Sequence, residues 1–246
     1  MKKYSEGVII GFALISLSVI LYTIHFYIFK DPHHIFIYLL GDLAFLPIEV
    51  LLVSVVFTKI INDRDKKETL QKINMILGVF FPESGVELMK LFAQNDKNPK
   101  QFQGALLIQP EWTNKDYKNS IKIIKKSDYH LEFDGPRLVI IREFLSSKRN
   151  LFLTFLENPI LIEHETFTDL ILALSHAEQE LSNREDVLNL PSHDHDHIVL
   201  DIERVHKLLF FEWLQYMNYL RKSYPFLYSF SVRTNPFDPN ADVEIK

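Results

Sequence analysis

The chain contains no cysteine. That excludes disulfides, thiolate metal sites and cysteine nucleophiles, and it suits a reducing compartment. Glycine is scarce, with seven in 246 residues. None of them falls in a Gly-x-Gly-x-x-Gly, Walker or Gly-x-Ser-x-Gly arrangement, so the chain has neither a backbone cradle for phosphates nor a nucleophile elbow. Enzymatic activity is therefore the less favoured class, and no organic cofactor is expected. Basic residues are outnumbered, 27 against 32 acidic ones, for a formal charge of −5. Residues 1–62 balance four against four, so the acidic excess lies beyond them. A chain of that sign repels phosphate backbones, and nucleic acid is not expected as a partner.

A further absence is of charge between Gly7 and Phe29. This apolar run, at about 1.5 Å rise per residue, crosses a hydrocarbon core of about 30 Å as a helix. After Lys30-Asp31-Pro32-His33-His34 a second run extends from Ile35 to Ile61. The first run exceeds the roughly 7 to 15 residues of a signal-peptide core, and no small-x-small cleavage site precedes the second. The sequence therefore predicts a two-span membrane hairpin over residues 1–62, with spans of about 7–29 and 35–61. Lys2 and Lys3 flank the first span and Lys59, Arg64, Lys66 and Lys67 follow the second, against Lys30 alone between them. The basic bias places both termini in the cytoplasm. The lipid bilayer is thus the first expected partner.

Beyond the hairpin the pattern is that of a cytoplasmic helical domain. No breaker interrupts 63–81, so the second span is expected to continue as a stalk, with Leu70, Ile73, Leu77 and Phe80 in an apolar stripe suited to a partner helix. Residues 82–232 form the domain proper. Pro82-Glu83-Ser84 restarts a helix, and Gln94 to Lys100 reads as a polar loop. Thr113 or Asn114 caps a helix through Lys126, and Asp134-Gly135-Pro136 opens one that ends near Asn158-Pro159. Further helices are expected from Glu165 to Ser182 and from Pro191-Ser192 to about Tyr224. Only Ala105 to Gln109 and His130 to Phe133 carry strand signals. Residues 233–246, with Pro236 and Pro239, read as an extended tail or docked strap. The fold class is mainly α, and the sequence shows no repeat or low-complexity stretch.

Three constellations carry chemistry. In the second span Asp42 and Glu49 lie seven residues apart. At about 100° per residue this returns them to one face, about 10 Å apart along the axis. Pro47 between them removes a backbone donor and kinks the helix, and Gly41 allows close approach of another helix. Ionisable residues within a span mark a functional site by default. Two spans cannot enclose a path, so a homo-oligomer is expected in which rings of Asp42 and Glu49 line a route for small cations or protons. In the alternative reading the acids stabilise helix packing, with His25 of the first span as a partner, and the protein is a membrane-tethered sensor or scaffold.

Histidines form the second constellation: His193, His195 and His197 alternate with Asp194 and Asp196, and Glu203 and His206 follow at a metal-competent spacing. They read either as ligands for a divalent metal such as zinc or as the ordinary first turns of a helix whose N-terminal end favours Asp194 and Asp196. His164, flanked by Glu163 and Glu165, and His176 are further candidate ligands. The third is Lys115, Lys118, Lys122, Lys125 and Lys126 around Tyr117, Ile121 and Ile124, which suits either an anionic lipid surface or a solvated face.

The phrases Tyr38-Leu39-Leu40-Gly41-Asp42-Leu43-Ala44-Phe45-Leu46-Pro47-Ile48-Glu49, Glu157-Asn158-Pro159 through Asp169-Leu170, and Arg233-Thr234-Asn235-Pro236-Phe237-Asp238-Pro239 recur in a known context. Through them the chain resembles an uncharacterised family of prokaryotic two-span membrane proteins with a C-terminal cytoplasmic helical domain. The resemblance covers most of the chain. It implies an integral membrane location and a bacterial or archaeal source, and it brings no activity with it.

Overall fold

The computed structural model describes residues 2–94, 104–126, 131–161 and 164–244. The loop expected within Gln94 to Lys100 lies almost wholly outside them, as do His130 and Glu163. Among the described residues the protein is mainly helical and has no strand; Leu131 makes an isolated bridge, and residues 104–106, where a strand signal began, are helical. The chain divides into two compact units, Met1–Lys66 and Lys67–Lys246.

In the first unit, α1 runs Lys2–Phe29 and α2 begins at Pro32 and ends at Phe80. Both are long and apolar enough to cross a membrane by length and composition. The connection is shorter than the five residues expected, because Asp31 caps α2. Its carboxylate accepts the N–H groups of His33 and His34 at 3.0 and 3.2 Å, and Pro32 fits the first helical position, where no N–H is needed. Lys30 turns the chain with φ of 50°. Beyond the turn the side chains have no core to enter: from Val8 to Ile61 the large apolar residues other than the half-buried Ile35 stand exposed, Phe12 at 70% and Leu40 at 69%.

In the second unit the last turns of α2 enter a core. The stripe expected to meet a partner helix does so within the chain, where Ile73, Leu77 and Phe80 are buried and Leu70 stays exposed. The Phe80 ring lies 6.1 Å from Phe155 and 5.3 Å from Phe167, in edge-on contacts that add to simple burial. The helix does not break and restart at Pro82. Instead Phe81–Gly85 forms a π turn leading directly into α3, Val86–Ala93, as follows when a residue without an N–H interrupts the ladder. A Cβ on Gly85 would lie 2.6 Å from the Phe81 ring, so glycine is what lets that ring stack on Tyr216 and meet Trp213 edge-on, each at 5.0 Å.

Further helices among the described residues are α4, Asn114–Lys126; α5, Gly135–Leu156; α6, Glu165–Ser182; α7, Ser192–Ser223; and α8, Pro225–Arg233. The first two starts have a local cause. The Thr113 N–H and hydroxyl both donate to Asp116, at 2.7 and 2.6 Å, and Asp134 caps α5 by accepting the Arg137 N–H at 3.0 Å. Gly135 packs against the Leu188 backbone where a Cβ would collide. The C-terminal residues are docked: Asn235 is fully buried and its side-chain amide donates to the Leu106 carbonyl at 2.8 Å. Phe237 meets Phe210 edge-on at 5.1 Å.

Candidate functional site

Asp42 and Glu49 both lie on α2 and are exposed. Neither has a hydrogen-bond or ion-pair partner among the described residues. Pro47 sits within the helix between them, and a Cβ placed on Gly41 would meet nothing within 4 Å, so the notch beside Asp42 is empty. His25 does not reach Asp42. Its ring lies 4.7 Å from Phe29 and stacks on His34 at 6.0 Å, at the turn end of the two helices.

The histidine cluster at the start of α7 is not gathered into one site. The His195 Nε2–H donates to the Phe133 carbonyl at 2.5 Å. Glu203 accepts the Leu131 N–H at 2.9 Å. His193 is exposed, while His206 is buried between Phe92 and Phe210, 5.3 and 4.0 Å from their rings. Burial pushes the His206 pKa down to about 3, because the charged imidazolium is disfavoured there. Glu203 and His206 share a helix, but one is drawn to a neighbouring backbone and the other into the core. Among the described residues no group of three or more His, Asp or Glu side chains is arranged to hold a metal ion.

What α6 and α7 bring together instead is a charge array that pairs His176 with Asp201 and His197 with Glu180. His176 Nε2 lies 3.2 Å and His197 Nε2 3.6 Å from the same Asp201 oxygen. Asp201 is buried and Arg204 lies 3.3 Å from its other oxygen. His197 is also 3.8 Å from Glu180. Arg184 grips Asp194 with two bonds of 2.8 and 2.6 Å and reaches Glu180 at 2.7 Å. That guanidinium holds both carboxyls below the usual carboxylate range. The i, i+4 pairs His176/Glu180 and His197/Asp201 were the signal for this array, and it appears only when two helices are read side by side. His164 has a structural task as the N-cap of α6, with Nδ1 accepting the Phe167 N–H at 3.2 Å. Burial lowers its pKa, in keeping with a neutral acceptor.

On α4 the apolar stripe turns inward: Tyr117 and Ile124 are fully buried. Inserting that stripe among lipid tails would therefore expose core, and an attraction to lipid is left to the five lysines, all exposed. The Tyr117 hydroxyl meets that of Tyr228 at 3.1 Å, and Tyr228 donates to the Gln109 carbonyl at 2.9 Å.

A fourth feature was not read from the sequence. A cavity of about 570 Å³ opens between α4, α6 and α7. Leu172, Ala173, Leu208 and Phe211 make its apolar wall, and Lys125, Arg204 and Lys207 supply cations. The Lys125 ammonium sits over the Phe211 ring, 4.5 Å from its centroid. Its lining comes from three helices whose contributions lie 28 or more positions apart in the chain, so no local motif announces it. Behind the wall Glu212 is fully buried, and burial raises its pKa to about 7.

Comparison with known proteins places the chain. The family described as "Uncharacterized protein MJ1433, C-terminal helical domain" matches residues 69–233, and "MJ1433, N-terminal helical domain" matches residues 2–61. A relative named "Uncharacterized protein MJ1433", from Methanocaldococcus jannaschii, is 43% identical over 237 residues, covering 96% of this chain and 94% of its own length. No solved structure matches. With both helical units matched in order and the relative aligned nearly end to end, the chain belongs to the MJ1433 family.

Proposed function

We propose that this chain is an integral protein of a prokaryotic cell membrane, with two spans and both termini cytoplasmic. It assembles with copies of itself so that Asp42 and Glu49 line a path for small cations or protons. The observation that carries this reading is the pair of carboxylates without partners on one stripe of an exposed, otherwise apolar helix surface. An acid at the centre of a span costs about 2.5 to 3.5 kcal/mol even on lenient scales. Meeting water and other copies around an axis removes that cost, and the empty notch at Gly41 leaves room for a neighbouring helix. The test is reconstitution into liposomes. Asp42→Asn and Glu49→Gln abolish or sharply reduce cation or proton flux, and unchanged flux in both variants overturns the reading. The mass of the particle in mild detergent is a second check, because a monomer or dimer cannot form a ring.

A second reading, that of a membrane-tethered sensor or scaffold, is favoured by one observation: the second unit has its own core and a cavity of ligand size. Absence of flux together with a monomeric or dimeric particle would select it.

A further inference from the structure

The cavity between α4, α6 and α7 joins an apolar wall to a cationic rim. Its volume of about 570 Å³ falls within the roughly 300 to 1,000 Å³ of small-molecule sites. Leu172, Leu208 and Phe211 offer an apolar surface, and Leu172 is left 51% exposed. Around it stand three cations against a single wall carboxylate, Asp169. The chain as a whole is acidic, so this local excess of positive charge runs against its average.

The cations also differ in how far they are neutralised. Arg204 is held by Asp201 at 3.3 Å. Lys125 rests on an aromatic face, and Lys207 has no acidic partner among the described residues. A purely ionic ligand would use the lysines and leave the hydrocarbon wall wet. A neutral hydrocarbon would cover the wall and leave the lysines idle. We infer that this cavity binds a small amphipathic anion, a carboxylate or phosphomonoester carried on a flat or short hydrocarbon body. The inference concerns the second unit alone and stands whether or not the spans conduct.

The test uses the full chain in amphipol and 1-naphthyl phosphate as the probe, followed by calorimetry. One saturable site is expected, binding the probe at least about tenfold more tightly than inorganic phosphate or 1-naphthol, since each supplies only half of the contacts. Lys207→Glu and Lys125→Glu, both at exposed positions, each weaken binding about tenfold or more. Leu172→Trp fills the cavity without altering charge and also abolishes binding. Lys118→Glu, on the same helix but outside the cavity, leaves it unchanged. Nanodiscs separate two sources of the anionic group. Loss of probe binding in phosphatidylglycerol discs but not in phosphatidylcholine discs assigns a lipid headgroup, and equal binding in both assigns a soluble ligand; either upholds the site. No saturable heat, or charge-reversal and cavity-filling variants that bind like Lys118→Glu, overturns it.

Discussion

The two units handle the same kind of residue in opposite ways. Phe12 is 70% exposed and Phe167 is 0% exposed, although both sit in regular helices rich in leucine and isoleucine. In the second unit apolar residues recur at three and four, so each helix has an inside, and the insides meet in one cluster from Ile73 to Val232. In α1 the apolar residues go all the way round, which leaves no side for water and none set apart for a core. The helices of the first unit are therefore complete as backbone structures and incomplete as packed ones. Such a surface suits the bilayer and the neighbouring copies proposed above.

The sharpest way to break this comparison is to remove the same side chain from each unit. Phe167→Ala deletes a ring that touches both Phe80 and Phe155 and should cost about 3 to 5 kcal/mol through lost transfer energy and the cavity left behind. Phe12→Ala should leave the unfolding of the second unit unchanged. Denaturant titration of the full chain in mild detergent, followed by the fluorescence of Trp112 and Trp213, reads both. A comparable loss in the two variants would mean that the exposed Phe12 ring supports the second unit's stability as much as the buried Phe167 ring does, and would break the comparison.

A second contrast lies within the core, between two buried groups titrating in opposite senses. Glu212 has its pKa raised from 4.5 to about 7, so between those values the unfolded chain has lost a proton that the folded one keeps, and stability falls as pH rises. His206 has its pKa lowered from 6.5 to about 3, so in that window the unfolded chain gains a proton that the folded one refuses, and stability falls as pH drops. Each slope is about 1.4 kcal/mol per pH unit. They oppose each other between about pH 4.5 and 6.5 and nearly cancel. Glu212→Gln should therefore make stability rise with pH across that interval, relative to the parent, and His206→Phe should make it fall. Parallel pH profiles for parent and variants would show that neither group is buried in the ionisation state described.

Much of this was legible in the sequence wherever the cause was local. The helices Asn114–Lys126, Gly135–Leu156 and Glu165–Ser182 follow from Thr113, Asp134-Gly135-Pro136 and a spacing of three and four. Pro225–Arg233 was missed because Tyr224-Pro225 reads as a stop, whereas proline at a first helical position is also a start. The turn at Phe81–Gly85 was misread for a similar reason: a proline after an apolar stripe marks the ladder's interruption without saying whether the helix ends. The candidate sites divide along the same line. Asp42 and Glu49 share one helix, so their common face could be read from their spacing. The cavity and the His176–Asp201–His197 array need two or three helices in register, and their contacts follow from packing that no single window contains. His206 shows the converse, since a spacing that also suits ligation belongs to a residue facing the core.

The smallest expected effect tests whether, in a unit without a core, backbone geometry at one turn can be measured at all. Lys30 is held at φ of 50°, a left-handed conformation that costs a residue with a Cβ about 1 to 2 kcal/mol. Glycine removes that strain but returns about 0.5 to 1 kcal/mol of backbone freedom to the unfolded chain. Lys30→Gly should therefore stabilise the α1–α2 turn by about 0.5 kcal/mol. Asp31→Ala, which strips the cap from the His33 and His34 N–H groups, should cost about 1 kcal/mol. Far-UV circular dichroism of the full chain across an SDS titration follows helix loss, with the second unit's unfolding as the internal reference. Opposite shifts in the two variants would show the turn, independent of any core, holding the two helices as a hairpin. A loss in both would mean that the Lys30 side chain contributes more than its strained backbone takes away.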